Sequence, residues 1–148
     1  MALAEILICL VVGIADGDTL TARCGMPAEY QQVKVRLAEI DAPEKNQAFG
    51  QRSKEYLSAL CFNQQATIRS DKKDRYGRTI ARVECQSQDA SPALVKAGMA
   101  WAYTKYLTDP EIKRLEVQAK SAGVGLWRDA VPVPPWEFRK SGKAAGGT

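Results

Sequence analysis

The stretch ILICLVVGIADGDTLTARC, residues 6–24, decides the fold. Ile6 to Ile14 is a continuous apolar run, too short to span a bilayer and suited to a buried strand. Asp16-Gly17 supplies turn residues, and Asp18–Cys24 returns as a second strand. With the hairpin centred on Asp16-Gly17, Ala15 faces Asp18. The same register carried outward sets Cys9 opposite Cys24, close enough to bridge.

Outward from this hairpin the pattern stays strand-like. Val33–Ile40 alternates, with Val33, Val35 and Leu37 on one face and Lys34 and Arg36 on the other. Ala42-Pro43 breaks it, and Glu44 to Cys61 turns helical, with Phe49, Tyr56, Leu57 and Leu60 on one face. Ala66–Ser70 and Thr79–Cys85 read as two more strands joined through a turn at Asp74–Gly77. Ser91-Pro92 caps a helix that Gly98 ends; Asp109-Pro110 opens another, whose Ile112, Leu115, Ala119 and Ala122 share a face and which Gly123 stops. After Trp127, Pro132, Pro134 and Pro135 argue against regular structure, and Ser141–Thr148 is small, polar and expected to be mobile. This divides the chain into a domain over 5–128 and a Pro-rich extension over 129–148. The fold class is α+β. Five strands, a helix between the third and fourth, and two closing helices suit an oligonucleotide-binding (OB) β-barrel with helical additions, though the strand count also fits other small α+β folds.

The chain has 148 residues, enough for one domain with a sizeable core. Its 21 Lys and Arg against 17 Asp and Glu give a net charge of +4. That balance permits a nucleic-acid partner without requiring one. There is no histidine, which excludes the commonest general base and the commonest zinc ligand. Proton transfer must fall to carboxylate, Tyr, Lys, Arg or metal-bound water. The four cysteines, Cys9, Cys24, Cys61 and Cys85, lack the close spacing of a zinc knuckle or redox dithiol. They are either four buried thiols or two disulfides of an oxidising compartment. The hairpin register pairs Cys9 with Cys24, and elimination leaves Cys61 with Cys85. Ala2-Leu3-Ala4 reads like the tail of a signal-peptidase site, so the expectation is a secreted or periplasmic bacterial protein with its signal peptide removed.

Three short segments carry acids and arginines: Asp16-Gly17-Asp18-Thr19, Val35-Arg36-Leu37-Ala38-Glu39-Ile40-Asp41-Ala42-Pro43-Glu44, and Asp74-Arg75-Tyr76-Gly77-Arg78. Asp18 and Asp41 offer hard carboxylate oxygens, and the backbone carbonyl of Ala42 a third. This set suits one Ca²⁺ ion better than Mg²⁺ or Mn²⁺. Glu44 is a candidate for deprotonating a water. Equally, Asp18 closes a turn, and Asp41 and Glu44 have the spacing of a capping box. Arg36 and Arg78 are candidate phosphate clamps, or surface ion-pair partners. Arg75 and Tyr76 are placed to hold a terminal phosphate. Tyr103 and Tyr106 stack on bases or pack at the rim of the core.

In this order the three segments resemble the staphylococcal-nuclease-type thermonucleases, over roughly Glu5 to Trp127. The resemblance implies a five-stranded OB barrel with three helices. It implies Ca²⁺ at Asp18, Asp41 and the Ala42 carbonyl, water activation by Glu44, and Arg36 and Arg78 on the scissile phosphate. It further implies endonucleolytic cleavage of DNA and RNA to 3′-phosphate and 5′-hydroxyl ends. Separately, the expectation is a monomer with no membrane association and no obligate protein partner. Thr104 replaces one of two substrate-facing tyrosines of the family's best-known member. The Pro135-Trp136-Glu137-Phe138-Arg139 tail instead resembles those of exported bacterial relatives. A barrel that holds single strands without cutting them, or a disulfide-stapled structural domain, are the competing readings. The second leaves Arg36 and Arg78 without a purpose.

Overall fold

A computed structural model of the chain describes residues 5–146; Ala2-Leu3-Ala4 lies outside them. Strand β1 (Glu5–Asp16) pairs on one side with β2 (Thr19–Cys24) and on the other with β5 (Gln65–Lys73). β2 carries β3 (Gln31–Leu37), and β5 carries β6 (Thr79–Cys85). β3 and β6 then meet in parallel, Val35 opposite Thr79, and that pairing closes the five strands into a barrel. Closure removes the exposed edges that an open five-stranded sheet would leave. Two short additions complete the sheets: β4 (Ile40–Asp41) pairs with β8 (Trp101–Ala102), and β7 (Gln88–Asp89) extends from β6.

The helices are α1 (Gly50–Cys61), α2 (Ala90–Lys96), α3 (Pro110–Ala122) and α4 (Pro135–Gly146), with a 3₁₀ turn over Gly125–Arg128. Among the described residues, no helix is long and apolar enough to cross a membrane. The period-two alternation of β3 buries Val35 and Leu37, with Leu20 of β2 and Val83 of β6, in one core that Leu57 of α1 and Leu94 of α2 cover. Arg36 therefore points away from the core.

The β1–β2 turn differs in detail from the sequence expectation. Asp16 pairs with Thr19, so the turn is centred on Gly17-Asp18. Two extra residues on β1, one between Val11 and Gly13 and one between Ile14 and Asp16, then shift the register outward until Leu10 faces Arg23. The bulges restore the alignment that an unbulged hairpin one residue earlier would have had. Cys9 and Cys24 accordingly lie with Cα atoms 4.5 Å apart and are disulfide-bonded. Cys61 at the end of α1 bonds to Cys85 at the end of β6, Cα to Cα 5.3 Å. All four half-cystines are buried.

Three helical expectations are corrected. α1 begins at Gly50 rather than Glu44, so Asp41 and Glu44 do not form a capping box; Phe49, in the left-handed region at φ 69°, leads into the helix. Gly50 is required there, because a Cβ would lie 1.9 Å from the Glu44 carbonyl oxygen. Residues 42–49 fold back onto the start of α1 as an irregular loop in place of the expected first turns. α2 is led by Asp89, and Ser91 is buried, its hydroxyl donating to the Ala38 carbonyl at 2.8 Å. Among the described residues the helix count rises from three to four, because Pro135 opens α4 instead of forbidding it. Proline lacks only a backbone N–H that the first helical turn leaves unused. Asp109 caps α3 as expected, accepting from the Glu111 N–H at 3.0 Å, and Gly123 ends it at φ 63°.

Candidate active site

The acidic site is built from the β1–β2 turn, the end of β3, β4 and the loop that follows. Gly17 packs the turn against the loop and α1 so closely that a Cβ would lie 2.6 Å from Ser53 Cβ and 2.9 Å from Ala42 Cβ. Within the turn, Asp16 Oδ1 accepts from the Asp18 N–H at 3.1 Å, and Asp18 Oδ1 accepts from the Thr19 hydroxyl at 3.1 Å. Asp18 Oδ2 accepts from the Ala42 N–H at 2.7 Å, joining two segments 24 residues apart. Asp18 and Asp41 are both buried, 6% and 0% exposed.

Arg36 holds these carboxylates together. Its Nη1 lies 3.3 Å from Asp18 Oδ2, and its Nη2 donates to Asp41 Oδ1 at 3.2 Å. Nη1 also donates to the carbonyls of Leu37 and Ile40, each at 3.0 Å. The guanidinium is thus held at four points on the side of β3 away from the core.

A second guanidinium arrives from the other end of the chain. Arg139 of α4 donates through Nη2 to Asp41 Oδ2 at 2.7 Å. Its Nη1 donates to Asp41 Oδ1 at 3.1 Å and to Glu44 Oε1 at 2.7 Å. The sequence reading missed Arg139. Its only signal was the Pro135-Trp136-Glu137-Phe138-Arg139 tail, and nothing local in that run points 95 residues back to Glu44.

The titration behaviour follows from this crowding. Burial raises the Asp18 carboxyl, but the Arg36 guanidinium and the donors around it outweigh burial and hold it below the usual carboxylate range. Asp16 moves the other way, pushed up to about 7 by burial and by the neighbouring Asp18 charge. Asp41 is also raised, burial outweighing its hydrogen bond from Arg139. Asp16, quoted in the first motif but given no role, belongs to this cluster. The Asp41 hydrogen bond and charge in turn strengthen the protonated form of Arg139.

The remaining predicted residues form two other groups. Arg78, Arg75 and Tyr76 lie at the β5–β6 turn. Arg78 Nε donates to Asp74 Oδ2 at 2.7 Å, and the Arg75 and Arg78 guanidinium carbons sit 5.0 and 5.6 Å from the Tyr76 ring centre. Arg78 immediately precedes Thr79, the barrel-closing partner of Val35, so its backbone neighbours the strand that carries Arg36. Tyr103 and Tyr106 meet edge to face at 5.0 Å, and Tyr106 is 50% exposed. One face of Tyr103 is already covered by Trp136 of α4, stacked at 5.4 Å with 4° between planes. That face is not open to a base in this arrangement.

A closed five-stranded barrel of this topology, with paired buried carboxylates bridged by a guanidinium beside the β1–β2 turn, is an OB-type barrel. The staphylococcal nuclease homologue family matches residues 34–129, and the chain belongs to that family. It is similar to a protein of Haemophilus influenzae called an uncharacterized endonuclease, 47% identical over 135 residues, which are 91% of this chain and 74% of that protein. It is also similar to Escherichia coli protein ParB, 42% identical over 88% of this chain and 77% of the relative. A Shigella flexneri micrococcal nuclease is 38% identical over 91% and 82%. With the family goes its class of activity: the chain is a nuclease, a phosphodiesterase of the staphylococcal nuclease type.

Proposed function

We propose that the protein is a Ca²⁺-dependent endonuclease that hydrolyses DNA and RNA, leaving 3′-phosphate and 5′-hydroxyl ends. The observation that carries this reading is the convergence of Asp18, Asp41, Glu44 and Arg36. Arg36 spans Asp18 and Asp41, and Asp41 is joined to Glu44 through a shared guanidinium. The donor set fits a hard divalent cation. It is all oxygen, Asp18 and Asp41 are buried, and Asp16 and Asp41 are both raised, chiefly by burial and further by the neighbouring Asp18 charge. Asp18, Asp41 and the Ala42 carbonyl would hold the ion, which supplies Lewis-acid polarisation of a phosphoryl oxygen when bound.

The chain's own residues supply the rest. Glu44, on the loop and about one-third exposed, accepts the proton of the attacking water. Water oxygen bonds to phosphorus, the bond from phosphorus to the 5′ oxygen breaks, and the leaving oxygen takes a proton from solvent. Arg36 and Arg78 bind the non-bridging oxygens and stabilise charge as it builds. Arg75 and Tyr76 bind a neighbouring phosphate, and Tyr106 offers the more open ring for a base. Two disulfides support an oxidising, extracytoplasmic location, secreted or periplasmic.

The test is incubation with plasmid DNA and with RNA in Ca²⁺, Mg²⁺ or chelator, followed by end-group analysis. Cutting should require Ca²⁺ and leave 3′-phosphates. Glu44→Gln should fold normally and lose at least roughly 10²-fold in rate, the scale of general-base removal. Full activity in excess chelator would overturn the cation assignment, and strand binding without cleavage would make the barrel a binding module.

A further inference from the structure

Glu44 sits in a segment without regular structure, and its backbone is tied only locally. The Glu44 N–H donates to Gln47 Oε1 at 3.0 Å, and the Gln47 N–H returns to the Glu44 carbonyl at 2.9 Å. Neither bond fixes the carboxylate. Among the described residues its ion-pair partner is Arg139, at 2.7 Å. A free glutamate side chain samples many rotamers, so a water-activating carboxylate on a loop needs an external hold.

α4 has the anchoring to provide one. Trp136 stacks on Tyr103 and meets Trp101 edge-on at 5.7 Å. Pro135 is buried, and just before the helix the Val133 carbonyl accepts from Gln47 Nε2 at 2.6 Å. Arg139 follows Trp136 by three residues, which puts both on the same side of the helix. The guanidinium is a rigid plane with donors at set angles, so one arginine gripping Asp41 with two nitrogens and Glu44 with one of them also sets the spacing of the two carboxylates.

We propose that Arg139 is a positioning residue of the active site, the C-terminal helix acting as a brace whose guanidinium holds the Glu44 carboxylate beside Asp41. This rests on the reading of Glu44 as the residue that activates water. Arg139 acts through Glu44 and not on the phosphate, so its loss is felt in turnover more than in substrate binding.

The experiment is a double-mutant cycle on the full chain with plasmid DNA: Arg139→Ala, Arg139→Lys, Glu44→Gln, and Arg139→Ala combined with Glu44→Gln. Arg139→Ala should lower kcat by roughly 10- to 10²-fold, the scale of a misplaced catalytic group, with KM changed less than about three-fold. Arg139→Lys, able to hold one carboxylate but not both, should fall between. In the Glu44→Gln background Arg139→Ala should change kcat by less than about two-fold, because the two act as one unit. Independently of turnover, amide exchange measured on the cation-free protein should speed up across residues 42–49 in Arg139→Ala while the barrel strands keep their protection. Glu44→Gln impaired but Arg139→Ala unimpaired overturns this inference alone. So does an equal further loss in the Glu44→Gln background, unchanged exchange over 42–49, or faster cutting by Arg139→Ala at limiting Ca²⁺, which would make Arg139 a competitor of the cation. Glu44→Gln at the wild-type rate overturns the reading of Glu44 and this inference with it.

Discussion

Arg36→Met removes the charge that the buried acids share while keeping an unbranched stem of similar reach. The side chain is 13% exposed and holds four partners: the Leu37 and Ile40 carbonyls and the carboxylates of Asp18 and Asp41. Removing one partner of a buried ion pair costs about 3–5 kcal/mol, because the other charge stays buried and uncompensated. Here the lower end applies. Arg139 still grips Asp41, and the Ala42 N–H and Thr19 hydroxyl still donate to Asp18. About 3 kcal/mol in a chain of this size lowers Tm by about 6–12 °C. The pH dependence has a definite sign. Asp18 is a carboxyl held low in the folded protein by Arg36, so the stability it contributes is present above its unfolded pKa and is lost as pH falls through the depressed folded value. Without Arg36 that depression is lost and burial raises the carboxyl. The variant's deficit should therefore be largest near pH 7 and shrink towards pH 4, where a neutral Asp18 no longer needs a counter-charge. Saturating Ca²⁺ stabilises both proteins by mass action, and it should narrow the deficit because in the variant the cation also replaces the lost counter-charge of the buried acids. Thermal melts by circular dichroism at pH 7 and pH 4, with Ca²⁺ and with chelator, decide the matter. A Tm change under about 2 °C at pH 7, or a deficit that does not vary with pH, would refute the view of Arg36 as the counter-charge of this cluster.

Gly50→Ala should impair catalysis out of proportion to stability. A Cβ 1.9 Å from the Glu44 carbonyl oxygen must push the site loop away, which should cost roughly 10-fold or more in kcat against about 1–3 kcal/mol of stability; a normal kcat would show that the loop tolerates displacement. Replacing Cys61 and Cys85 by alanine should cost about 3.5 kcal/mol, and replacing Cys9 and Cys24 about 3 kcal/mol, in the chain-entropy model for sequence separations of 24 and 15. Denaturant midpoints measure both, and the reverse order would show that native-state packing dominates over chain entropy.

Local chemistry determined much of this protein. Alternation in β3 separates Arg36 from Val35 and Leu37, and Asp109-Pro110 and Gly123 bound α3, because these signals depend only on neighbouring residues. The family resemblance rested on three short runs, and the barrel and the family both follow it. The cysteine pairing was legible too, though through a hairpin centre one residue off that two bulges compensate. What local pattern could not decide was which of two roles a spacing serves. Asp41 and Glu44 have the offset of a capping box, and only the close approach of Gly50 to the Glu44 carbonyl shows that the helix starts later and leaves Glu44 on a loop. The prolines before Trp136 likewise read as a stop, whereas in the folded chain Pro135 opens a helix. Arg139 is the extreme case. It meets Asp41 from 98 residues away, a contact made by a helix that Trp136 on Tyr103 and Trp101, the buried Pro135 and the Gln47–Val133 hydrogen bond anchor over the acids. Packing between segments distant in sequence has no period or spacing to read, so it was settled by the tertiary structure alone.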